Sequence, residues 1–176
     1  MKRLAALVLL ILAPSTAQAD KGLKRVGAQV GFTGLASEGS FAGFGGGLTG
    51  AYGLNDAWTL RIDATASSNH ATEKARSLVL GQSVGVQYAL DVIQIVPFFG
   101  AHVGLFELIG GGLPATQLKP AISLAFGFDW ILSRTLTVGV DLRAHALPAD
   151  FVGSPTNPTP FYATTMAKGE FTWGWF

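Results

Sequence analysis

Alternation with a two-residue period constrains this chain more than any other feature. In Trp58-Thr-Leu-Arg-Ile-Asp-Ala-Thr-Ala66 the even positions hold Trp58, Leu60, Ile62, Ala64 and Ala66, and the odd ones Thr59, Arg61, Asp63 and Thr65. Successive side chains of a strand point to opposite faces, so this segment reads as a strand with one apolar face and no helical spacing. Residues 121–130 repeat it, with Ile122, Leu124, Phe126, Phe128 and Trp130 set against Ala121, Ser123, Ala125, Gly127 and Asp129. Residues 135–146 do so again, with Leu136, Val138, Val140 and Leu142 against Thr137, Gly139, Asp141, Arg143 and His145. Weaker copies at 25–34, 42–54, 77–90, 95–106 and 161–175 bring the expected strands to eight. Pro97 cannot donate to a ladder, which predicts a bulge or a late start in the fifth.

The connections alternate as well. Short ones fall at Asn55-Asp56-Ala57, Asp91-Val92 and Ser133-Arg134, and longer ones at about 35–41, 67–76, 107–118 and 147–160. Tight turns at one end and longer loops at the other describe an up-and-down antiparallel meander with both termini at the tight-turn end. An aromatic-x-Leu repeat precedes each tight turn: Tyr52-Gly-Leu54, Tyr88-Ala-Leu90 and Trp130-Ile-Leu132. Parity puts each aromatic on its strand's apolar face, with Trp58, Trp173 and Trp175 at the same end. A ring of Trp and Tyr at one level is what a membrane–water interface selects, since each ring has an apolar body and a polar tip.

Eight alternating strands can close in two ways. A soluble barrel turns its apolar face inward and solubilises its exterior with charge, whereas a membrane barrel turns the apolar face to lipid. The second face decides. It carries Gly27, Gln29, Gly31, Thr33; Gly43, Gly45, Gly47, Thr49; Gly81, Ser83, Gly85; Gly100, His102, Gly104; Thr137 and Gly139, which are too small and too weakly charged to coat an exterior. They suit the cramped lumen of an eight-stranded barrel. The apolar face has no charged residue between strand ends, and one at the bilayer midplane would cost about 2–4 kcal/mol. The expected fold is therefore all-β, an eight-stranded antiparallel up-and-down transmembrane β-barrel. Composition agrees: 49% of residues are apolar and 13% charged, about half the charge of a soluble domain, with no apolar run long enough for a spanning helix. The absence of Cys excludes a disulfide scaffold.

Residues 1–19 have the tripartite form of a secretory signal: Met1-Lys2-Arg3, ten apolar residues from Leu4 to Ala13, and the small-x-small site Ala17-Gln18-Ala19. The exported barrel domain is then expected at 20–176. Removing Lys2 and Arg3 leaves 10 basic against 11 acidic residues, a net charge of −1 that gives nucleic acid nothing to bind.

Seven charged residues fall on the small-residue face: Arg61, Asp63, Asp129, Asp141, Arg143, Lys168 and Glu170. Both signs recur on single strands in Arg61-x-Asp63, Asp141-x-Arg143 and Lys168-x-Glu170, which points to a paired network, because unpaired charge in a confined lumen is costly. A static plug that fixes register is the plain reading, and a gate for ions or small solutes the sharper one. Two enzyme-like strings fail on context. Gly81-Gln-Ser-Val-Gly85 matches a nucleophile-elbow pattern, with Asp129 or Asp141 and His145 in hydrolase order, and Gly45-x-Gly47-x-x-Gly50 a dinucleotide fingerprint. Both require a strand running into a helix, and both lie in alternating segments. His70 is expected in the loop 67–76 at headgroup level, beside Glu73, while His102 and His145 face inward. None has metal-ligand spacing, so neither cofactor nor metal is expected.

At this point the chain resembles the small outer-membrane barrels of Gram-negative bacteria, such as OmpX and the membrane domain of OmpA. The likeness covers residues 20–176 and rests on architecture and the terminal segment Gly169-Glu-Phe-Thr-Trp-Gly-Trp-Phe176. It implies an outer-membrane location with both termini periplasmic, and lipid as the surroundings. It also implies periplasmic chaperones and the barrel-assembly machinery as partners during insertion, the latter reading Phe171, Trp173, Trp175 and Phe176. The terminal pattern departs from the family in having Gly at 174. The expected role is structural or surface-interacting, without enzymatic activity, with any extracellular partner met by loops 67–76 and 147–160. A narrow channel is the alternative and a lipid A-modifying enzyme a more distant one.

Overall fold

In the computed structural model residues 21–36, 40–72, 75–90, 94–110, 116–148 and 161–174 are described. They form eight strands: β1 Lys24–Ala36, β2 Ser40–Gly53, β3 Trp58–Thr72, β4 Ala75–Ala89, β5 Ile95–Gly110, β6 Gln117–Ile131, β7 Leu136–Ala146 and β8 Phe161–Trp173. Each pairs antiparallel with the next, and β8 pairs with β1, so the sheet closes into a barrel without edges. Closure pairs the backbone groups of every strand with those of its neighbours, which is the condition for a sheet to stand in hydrocarbon.

The two faces are inverted relative to a water-soluble protein. Phe32 is 71% exposed and Leu124 67%, whereas Arg61 is 1% exposed and Asp141 fully buried. Close packing of the lumen depends on missing side chains. A Cβ on Gly31 would stand 2.0 Å from the Thr165 carbonyl oxygen, and one on Gly47 2.2 Å from that of Ala64.

Two of the short turns are built alike. Asn55 Oδ1 accepts from Ala57 N (3.0 Å) and Trp58 N (2.8 Å), and Leu54 N donates to Trp58 O (2.8 Å). Ser133 Oγ likewise accepts from Thr135 N (3.3 Å) and Leu136 N (3.1 Å), and Leu132 N donates to Leu136 O (3.0 Å). An Asn or Ser at this position substitutes its own oxygen for a backbone acceptor. The third short connection, Asp91-Val92, lies outside the described residues.

The loop end differs from expectation. Residues 67–72 and 75–76 are strand, and β5 and β6 reach Gly110 and Gln117, so the loops expected at 67–76 and 107–118 shrink to a few residues. Here Ser67-Ser-Asn-His is polar on both faces, which hides the period although the ladder continues, with one register shift between His70 and Thr72. Pro97 produces neither bulge nor late start: it points outward in β5, third from the strand start, in unbroken register with Phe128 of β6. β8 stops at Trp173, where Gly174 turns away at φ 101°, a conformation that favours glycine. That accounts for the glycine that interrupts the terminal aromatic pattern.

Candidate functional site

The seven charged residues expected on the small-residue face stand inside the barrel, and an eighth joins them. Asp141 accepts from Arg143 twice, Nε to Oδ1 at 2.9 Å and Nη2 to Oδ2 at 2.7 Å, a bidentate pair along β7. Arg143 Nη1 reaches across the lumen to Asp63 Oδ2 at 2.7 Å. Asp63 Oδ1 accepts from Arg61 Nε (3.2 Å), and Arg61 Nη2 lies 2.6 Å from Glu170 Oε1. Glu170 lies 3.8 Å from Lys168 Nζ, which is 2.7 Å from Asp129 Oδ1 and 4.4 Å above the Phe98 ring. Asp129 Oδ2 meets Arg25 Nη1 at 3.8 Å.

These contacts form a single string of alternating sign: Arg25, Asp129, Lys168, Glu170, Arg61, Asp63, Arg143, Asp141. Four positive and four negative charges cancel. Each interior member touches two opposite charges, the arrangement under which ions can leave water without a prohibitive desolvation cost. The within-strand pairs read from the sequence are present. The contacts at or below 2.7 Å that involve Asp63, Glu170 and Asp129 instead join different strands, β7 to β3, β3 to β8 and β8 to β6.

Arg25 escaped the sequence reading although it shares parity with Gly27 and Gln29, because it lies at the outset of β1 where alternation had barely begun. Lys119, also buried, escaped because it lay between the expected loop 107–118 and the strand expected from 121. The lumen is also less uniformly small than expected. Val79, Phe106, Leu108, Ala121, Leu147 and Tyr162 form an apolar cluster filling the loop end. Large residues occupy both parities of β5, as Phe98 and Phe106 inward against Phe99 and Leu105 outward, so the pattern alone could not sort them.

Between string and cluster lie short polar contacts. Thr33 Oγ1 donates to Asn69 Oδ1 (2.5 Å), Asn69 Nδ2 to Ser67 Oγ (3.0 Å), and Ser67 Oγ is hydrogen-bonded to Tyr162 Oη (2.8 Å). Ser123 Oγ lies 2.7 Å from His145 Nδ1, and that ring packs against Phe106 and Tyr162 at 4.8 and 5.2 Å. His102 is buried, with Nδ1 3.8 Å from Asp63 Oδ2. Below the string, at the turn end, a cavity of about 50 Å³ remains between Arg25, Gln87, Phe98 and Asp129. That is room for a few waters among polar groups, since one water needs about 10–15 Å³ of such volume.

His70 is in β3 rather than a loop, on the outward face, and accepts from Arg76 Nε at 2.8 Å. Ser83, centre of the hydrolase-like string, and Gly45 to Gly50 lie within β4 and β2, with no helix after them. Among the described residues no group of three His, Asp or Glu could hold a metal ion. Tyr52, Trp58, Trp130 and Trp173 are exposed on the outer face at the turn end. Tyr88 shares that level but is covered, its ring 5.1 Å from Trp58 and 5.2 Å from Phe99. Phe171 and Trp173 stack at 6.1 Å on β8, while Trp175 and Phe176 lie outside the described residues.

Similar solved structures share the fold at low identity. Neisserial surface protein A (NspA) is 16% identical with a TM-score of 0.72, the match covering 86% of this chain and 99% of that one. OprG from Pseudomonas aeruginosa is 12% identical (TM-score 0.61; 89% and 98% covered). The outer membrane enzyme PagL is 18% identical (TM-score 0.53; 83% and 97% covered). No curated protein matches the sequence. The family description "outer membrane protein beta-barrel domain" fits residues 4–157. The chain belongs to that family of outer-membrane β-barrels.

Proposed function

We propose that the protein is a closed, non-catalytic barrel that serves as a rigid mount for surface contacts at its loop end, with its short turns and termini in the periplasm. The observation that carries this reading is the alternating string across the lumen. Opening a path would separate Arg143 from Asp63, or Lys168 from Asp129, and leave each of these buried ions with one opposite charge instead of two, which is costly in a confined lumen. The apolar cluster around Phe106 and Tyr162 adds a second barrier that hydrated ions do not cross. Residues 1–19 act as the export signal. Phe171, Trp173, Trp175 and Phe176 present the terminal strand to the assembly machinery, with periplasmic chaperones keeping the chain unfolded until then. With 67–72 and 75–76 in strands, partner contact falls to the rim around His70 and Arg76 and to the segment 147–160.

Catalysis is disfavoured by access. The Ser123–His145 pair has the atoms of a hydrolytic dyad, but both residues are sealed in the lumen, where no lipid ester could reach the hydroxyl. Two measurements test the proposal. In a planar bilayer the purified barrel should give no unitary current, and neither should Arg61→Gln or Lys168→Met. Stepwise current from the wild type, raised in either variant, would replace the closed barrel with a narrow gated channel. The lipid A mass profile of cells should be the same with and without the protein, and a new lipid A species would establish an enzyme.

A further inference from the structure

On the lipid-facing surface Gln82 is a polar side chain set among apolar ones, with Glu107 outward toward the loop end of β5 and Thr165 outward on β8. On β4 the outward positions run Leu78, Leu80, Gln82, Val84, Val86 and Tyr88. Gln82 is exposed and lies six residues from Tyr88, about 15 Å along the membrane normal for a strand tilted as in such barrels. The apolar band is about 25 Å tall, so the amide stands near its middle. No hydrogen-bond partner for it is found among the described residues. An unpaired primary amide in hydrocarbon has lost its water and gained nothing in exchange.

The surface beside it is concave. Leu48, Gly50, Ile62, Ala64, Gln82 and Val84 line a depression of about 760 Å³ on the outer face of β2 to β4, continuing toward β5. Barrel packing does not force its small residues. A Cβ on Gly50 would meet only the Ile62 side chain, at 3.2 Å, in contrast to the carbonyl clashes at the inward glycines. Small residues that let backbones approach, next to a polar side chain that needs a partner, are how protein surfaces associate inside membranes.

We infer that this face docks a second copy of the same chain, with Gln82 paired to Gln82 of the partner subunit. Copies inserted in one direction can be related only by a two-fold axis along the membrane normal, and such an axis keeps depth unchanged. A residue at the interface then meets its own equivalent. An amide offers both a carbonyl acceptor and N–H donors, so two of them satisfy each other without any other chemistry. A lipid acyl chain fills the depression equally well by shape but leaves the amide unpaired.

The chain has no Cys, so a single introduced thiol reports one position. Ala64→Cys, in the depression, and Ala144→Cys, outward on the opposite strand β7, are to be reconstituted separately in dilute proteoliposomes and treated with a short bis-maleimide. Dimer yield from Ala64→Cys should exceed that from Ala144→Cys by about tenfold. Adding Gln82→Leu should lower the Ala64→Cys yield by about tenfold, equivalent to about 1.4 kcal/mol of association. Heat-modifiable gel migration verifies that each variant is folded. Equal yields at the two positions, or a yield indifferent to Gln82→Leu, overturn the inference. Single-step photobleaching of labelled barrels in bilayers overturns it too, and assigns the depression to lipid.

Discussion

Arg143 and Asp63 meet at 2.7 Å across the full width of the barrel, from strands β7 and β3, which stand four apart in a ring of eight. This contact joins diametrically opposite walls and shares each partner with a neighbour on its own strand, Asp141 for Arg143 and Arg61 for Asp63. Removing the guanidinium leaves Asp141 buried without its cation and Asp63 with Arg61 alone. Arg143→Ala should therefore destabilise the barrel by about 3–5 kcal/mol, read as the shift in urea unfolding in lipid vesicles. Replacing Asp63 and Arg143 together by apolar residues should cost less than the two single changes summed, with a coupling of about 1–3 kcal/mol. Additive effects would mean that the contact holds nothing across the lumen.

The inward glycines are a second requirement. At Gly31 and Gly47 a Cβ would collide with backbone carbonyls that cannot move without breaking the ladder. Gly31→Val and Gly47→Val should each abolish the fast-migrating folded form on an unheated gel. Gly50→Ala, outward and facing only the flexible Ile62 side chain, should retain it.

These positions show what the sequence could and could not disclose. The closed barrel, its inverted faces and seven of the string's eight charges follow from parity alone, since parity fixes the face on which Arg61 or Lys168 must lie. Parity says nothing about partners across the lumen. Arg143 to Asp63 and Arg61 to Glu170 depend on strand stagger around the ring, which no single strand encodes. The period also fades where both faces are polar, at Ser67 to His70, and where both are bulky, at Phe98 and Phe99 or Leu105 and Phe106. In the first case a strand resembles a loop, and in the second an apolar plug resembles an ordinary wall.

The turn-end aromatics give a depth prediction. Trp58, Trp130 and Trp173 are outward at one level, so their fluorescence should be quenched most by lipids brominated near the headgroup and least by lipids brominated near the chain end. Strongest quenching by chain-end bromines would place the ring inside the hydrocarbon and remove it as an interfacial belt. In the same cluster Tyr88→Ala should cost about 1–3 kcal/mol, because Trp58 and Phe99 both lose a ring partner at about 5 Å.

The edge of the apolar band at the loop end can be located by charge. Leu124 is outward near the middle of β6, with only apolar outward neighbours along the strand, whereas Ser68 is outward near the loop end of β3, next to His70 in the outward row. An arginine at the bilayer midplane costs about 2–4 kcal/mol, and near the interface about 0–1. Leu124→Arg should accordingly lower unfolding stability in vesicles by the larger amount, while Ser68→Arg should change it by less than about 1 kcal/mol. The difference follows from the sequence itself. β3 turns polar on its outer face from Ser68 onward, which is where the strand leaves hydrocarbon and continues as a wall above the membrane. Equal penalties at the two sites would put residues 67–72 inside the band, and the polar rim around His70 and Arg76 would then lose its place as a contact surface.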